Sequence, residues 1–71
     1  MVAARQQTPA TIAENEVVVL LHPIDTEDGC LPAGSRGVVH DAEPDGSVYL
    51  VEFNQPFFCV VDVPGSSVRR G

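Results

Sequence analysis

From residue 23 onward, turn-forming residues interrupt this chain about every 8–12 positions. Pro23 comes first, followed by the cluster Gly29, Pro32 and Gly34, then Pro44-Asp45-Gly46, Asn54-Gln55-Pro56 and Pro64-Gly65. No segment between them is long enough for the crossover helix of a βαβ unit. What remains is a set of short runs rich in β-branched and aromatic residues, at 17–22, 35–40, 47–54, 57–63 and 68–70. The spacing predicts an all-β domain of four or five short strands, closed as a small barrel or paired as a sandwich. Residues 23–34, with three acids, two prolines and two glycines, read as one long loop. Pro64-Gly65-Ser66-Ser67 reads as a break with one turn of 3₁₀ helix.

The two strands at 47–54 and 57–63 carry the most information. Side chains alternate across a sheet, so Tyr49, Val51 and Phe53 share one face, while Val48, Leu50 and Glu52 share the other. On the next run Phe57, Cys59, Val61 and Val63 alternate with Phe58, Val60 and Asp62. A three-residue turn at 54–56 would set Phe53 opposite Phe57 and unite the first set of each strand as the core. The same register puts both charges, Glu52 and Asp62, on the other face. That outer face still carries Val48, Leu50, Phe58 and Val60. Apolar residues shared by neighbouring strands form a patch, and such patches mark docking surfaces. The acidic loop residues Asp25, Glu27 and Asp28 are expected at its rim.

Size and charge narrow the function. Seventy-one residues allow one domain, and a chain of about this length buries only about 60% of its unfolded surface. Residues 1–15 read as a flexible tail, with a weak capping pattern at Thr11 and Glu14, and residues 16–71 as the domain. The start of the chain lacks a basic segment followed by an apolar one, and the longest apolar run is far short of the roughly 20 residues of a membrane span. A cytoplasmic location is expected, without membrane contact. Ten acidic residues oppose four arginines and no lysine, for a net charge of −6. Nucleic acid is held by clustered Lys and Arg, so binding to it is not expected.

Chemistry-bearing constellations are sparse. Cys30 and Cys59 make no metal-ligand spacing, and Cys59 reads as a small apolar strand residue. His40 beside Asp41 reads as a surface pair. Gly34 and Gly37 are not followed by the lysine of a phosphate loop, and their role reads as steric. Asp25, Glu27 and Asp28 precede a glycine but lack the distal glutamate of a calcium loop. No acid, base and nucleophile can be named together, so neither an enzyme nor a cofactor is expected.

The segment Leu31-Pro-Ala-Gly-Ser-Arg-Gly-Val-Val39, followed by an acidic turn and Tyr49-Leu-Val-Glu-Phe53, resembles the bacterial domain-of-unknown-function family 4926. The resemblance runs from about Val17 to Arg69. It implies an SH3-like barrel with no known catalytic residue. The expected function is that of a protein-interaction module, binding a protein partner or itself through the apolar sheet face. The alternative is a structural or regulatory subunit of a larger enzyme assembly, which rests on fold analogy alone.

Overall fold

The computed structural model describes residues 12–71. Seven strands follow one another: β1 (Val17–Leu20), β2 (Ile24–Thr26), β3 (Gly29–Leu31), β4 (Arg36–Ala42), β5 (Val48–Phe53), β6 (Cys59–Pro64) and β7 (Val68–Arg70). One 3₁₀ turn, Gly65–Ser67, leads into β7. Five strands form an antiparallel sheet in the order β6-β5-β4-β1-β7, and β2 pairs with β3 as a separate hairpin. The domain is all-β, with the strand order of an SH3-like barrel. The barrel is not closed, because β6 and β7 lie at opposite ends of the ladder.

Alternation explains the core. Val18, Leu20, Val39, Tyr49, Val51, Phe53, Cys59 and Val63 all project to one side of the curled sheet and are buried. Each large side chain placed there contributes roughly 1.5–3 kcal/mol. The β2–β3 hairpin adds fully buried Leu31, with Ile24 packed beside it. That hairpin corrects the expectation of a plain loop over 23–34. Its two-residue turn is Glu27-Asp28, between the paired Thr26 and Gly29; Gly29 takes φ 135°, and Thr26 Oγ1 donates to the Gly29 carbonyl at 2.7 Å. Glu27-Asp28 is not one of the dipeptides that mark a two-residue hairpin turn, and strands of three residues are too short to show alternation.

The β4–β5 hairpin turns where Pro44-Asp45-Gly46 places it. The Gly46 N–H donates to the Glu43 carbonyl at 2.9 Å, and Gly46 takes φ 75°. Asp45 Oδ1 accepts the Ser47 N–H at 3.0 Å. Bonds from Ser47 hold the Asp45 carboxyl below its usual range. The β5–β6 register differs from the expectation. Phe53 pairs with Cys59, not Phe57, and Val51 pairs with Val61. The connection spans 54–58 and keeps Phe57 out of the ladder. Phe57 packs half-buried against the core, its ring 3.3 Å from where a Cβ on Gly29 would stand. A slip of two residues leaves every side chain on its expected face.

Residues 1–11 of the expected tail, including the Thr11 capping pattern, lie outside the described residues. The last part of that segment belongs to the folded domain. Ile12 is buried, and its N–H donates to Tyr49 Oη at 3.0 Å. Asn15 donates to the Val39 carbonyl at 2.8 Å. A buried tyrosine hydroxyl needs a partner, and here a main-chain donor supplies it.

Candidate functional site: the outer sheet face and its two clefts

Registers across β6, β5, β4 and β1 align one row on the outer face. Val60 faces Glu52, Glu52 faces Val38, and Val38 faces Val17. The three valines are 41%, 37% and 40% exposed, and Phe58 beside them is 62% exposed. Glu52 interrupts the row but is tied down. Its Oε1 accepts from His40 Nε2 at 2.7 Å, and its Oε2 accepts from Asn54 Nδ2 at 3.0 Å. These bonds, His40 first, hold the Glu52 carboxyl below its usual range. His40 reaches Glu52 because β4 bulges between Val39 and Asp41, and a bulge re-aims the side chain it carries.

The four apolar residues expected on this face are not one patch. Phe58 and Val60 are exposed at one end. Leu50 is half-buried between Asp41 and Asp62, and Val48 pairs with Pro64 at the other end. The two-residue slip moves Val60 away from Leu50 and opposite Glu52. Sequence reasoning missed Val17 and Val38. The available signal was their alternation with Val18 and Val39, but lateral alignment of β1, β4 and β5 depends on registers that no sequence spacing states.

Two clefts flank the row. One, of about 720 Å³, is lined by Val17 and Val38, by Arg36 and Glu52, and by the segments 32–35 and 54–56. The other, of about 760 Å³, lies between β6 and the β2–β3 hairpin. Asp25, Glu27 and Asp28 line its hairpin side, and Val60, Val61 and Asp62 its sheet side. The expected acidic rim therefore shares this cleft with Val60, and Val48 is not part of its lining. No group of three or more His, Cys, Asp or Glu suited to a metal occurs among the described residues.

Neither cysteine is set up as a nucleophile. Cys30 is exposed in β3, and Cys59 is buried in β6. Desolvation and then the Asp25 carboxylate push the Cys30 thiol up. Burial and then Asp28 push Cys59 up. A raised thiol pKa lowers the thiolate fraction that reactivity needs. The arrangement can bury apolar surface and present charge.

The fold and face together define a small all-β domain with SH3-like strand order, an exposed valine row and an acidic flank. Comparison with family models, curated proteins and solved structures finds no match for the chain. No helix among the described residues is long and apolar enough to cross a membrane.

Proposed function

We propose that this domain is a protein-docking module that uses its outer sheet face, against a protein partner or a second copy. The observation that carries the reading is the row Val60, Val38 and Val17 with Phe58 beside it, apolar and open to solvent. Single exposed apolar residues are ordinary. Val17 and Val38 in adjoining registers, Val60 across Glu52 from them and Phe58 just before β6, where charges could have stood at no cost to the core, form a contact surface. The resemblance to family 4926 implies no catalytic role and so brings no rival chemistry. The acidic balance speaks against nucleic acid.

The test is a double variant, Val38→Asp with Phe58→Asp. Both side chains are exposed, so circular dichroism should keep its β signature, while a new carboxylate opposite Glu52 should lower the unfolding midpoint only modestly. Size-exclusion chromatography with light scattering over a wide concentration range reads self-association. Affinity purification from the native host reads a partner at fixed stoichiometry. Loss of whichever association the parent chain shows is the expected result. Undiminished association in the double variant would show that another surface does the docking.

A further inference from the structure

The seam between β6 and β2 leaves strand edges without partners among the described residues. β6 ends the five-strand ladder, and β2 pairs with β3 alone. The Gly65 N–H donates to the Ser47 carbonyl at 2.9 Å, which sets the phase of the β5–β6 ladder. Positions 61 and 63 exchange bonds with Val51 and Tyr49, so Val60 and Asp62 turn their N–H and C=O groups away from β5. The cleft of about 760 Å³ lies along this edge, with Ile24–Thr26 forming its far wall. Two strand edges thus border one gap.

Open edges are normally blunted by charged side chains, lysine above all, by bulges or by proline within the strand, and β6 carries a single charge, Asp62. The chain has no lysine, the β5–β6 register runs without a shift, and Pro64 stands only at the strand's end. Charge selects what the gap would accept. Asp25, Glu27, Asp28 and Asp62 line it, and among the described residues no arginine or histidine does. A second copy pairing edge to edge through β6 would bring these carboxylates against their own kind. An extended basic segment would meet them with opposite charge.

We propose that the seam takes up an extended, lysine- or arginine-bearing segment of a partner protein as an added strand along β6. Its main chain would bond to the outward groups of Val60 and Asp62. Alternate side chains fall on opposite faces, so basic residues would lie beside Asp62 on the outer face. Small apolar ones would lie inward, over Val61 and Ile24. The proposal rests on the docking reading above, but it uses main-chain groups of an edge and not the side chains of the face.

The test titrates the isotope-labelled full chain with acetyl-Lys-Val-Lys-Val-Lys-Val-Lys amide at low salt, followed by amide NMR. The comparison peptide has the same sequence with D-valine throughout, which keeps charge and composition but cannot extend as an ordinary strand. Expected are shifts centred on Val60 and Asp62, slowed exchange of both amides, and binding at least about tenfold tighter than the D-valine peptide. Equal binding of the two peptides, or shifts spread over the acidic surface, would reduce the effect to charge attraction and overturn the added strand. The Val38→Asp, Phe58→Asp variant keeps the seam, so it should bind the L-peptide as the parent does. Failure of the L-peptide while the face variant still loses its association would sink the seam proposal alone.

Discussion

Glu52 shows how much one side chain can depend on a contact that sequence spacing hides. His40 reads as the neighbour of Asp41, yet its ring meets Glu52, twelve residues on, at 2.7 Å. The cause is the extra residue in β4, and nothing in the run from Val38 to Asp41 announces a bulge. The contact carries a pH dependence whose sign follows from the Glu52 carboxyl lying below its usual range. A carboxyl with a folded pKa below its unfolded value contributes stability that is fully present above about pH 4.3. That contribution is lost as pH falls through the folded pKa. His40→Ala removes the largest cause and should move the Glu52 titration upward, toward that of an ordinary glutamate, in a carbon-detected NMR titration. The stability difference between parent and variant that comes from Glu52 should then shrink as the pH is lowered. A Glu52 titration unmoved by the substitution would assign the shift to Asn54 instead.

Between β4 and β5 the controlling residue is Gly37. A Cβ there would stand 2.5 Å from Val51 Cγ1, 2.8 Å from the Glu52 carbonyl oxygen and 2.9 Å from Phe53 Cε2. Two of those atoms belong to buried side chains and the third to the backbone, so none can yield cheaply. Overpacking of this kind costs about 1–3 kcal/mol, a large share of the roughly 3–5 kcal/mol a core of this size supplies. Gly34 is the useful contrast. It takes φ 91° with nothing within 4 Å of a Cβ, so alanine there meets only backbone strain, about 1–2 kcal/mol. In equilibrium urea unfolding Gly37→Ala should lower the midpoint more than Gly34→Ala does. The reverse order would refute the close approach of β4 to Phe53. The steric role of this glycine pair was legible in the sequence; which wall Gly37 meets was not. The same division runs through β5 and β6. Alternation assigned Tyr49, Val51, Phe53, Cys59 and Val63 to the interior because parity survives a two-residue slip. It could not set the register, because Phe57 and Phe58 are as apolar as strand residues yet lie in the connection. Lateral neighbours on the outer face, and with them the valine row, were therefore out of reach.

Charge is the property that belongs to the molecule as a unit, and its sum was readable at once while its layout was not. Ten acids and four arginines leave six negative charges that pairing inside the chain cannot offset. The fold sorts them. Arg36 and Arg69 stand on either side of Val19 in register, and Arg70 Nε meets Glu16 Oε1 at 3.0 Å at the same end of the sheet. Asp25, Glu27, Asp28 and Asp62 gather around the seam, with no arginine from the described residues among them. Exposed ion pairs such as Arg70–Glu16 contribute little, whereas excess charge of one sign opposes the compact state. Salt therefore has two opposed effects, weakening a few attractive contacts and screening a larger set of repulsive ones. Raising sodium chloride from about 10 mM to about 150 mM shortens the screening length from about 30 Å to about 8 Å, which weakens the longer-range repulsion among the carboxylates. The repulsive set is larger, so the unfolding midpoint should rise with salt at neutral pH. Potassium chloride at equal ionic strength should give the same rise, because screening does not distinguish the cations. A midpoint that falls with salt would mean the arginine contacts outweigh the acidic excess. A rise with one cation only would point to specific ion binding.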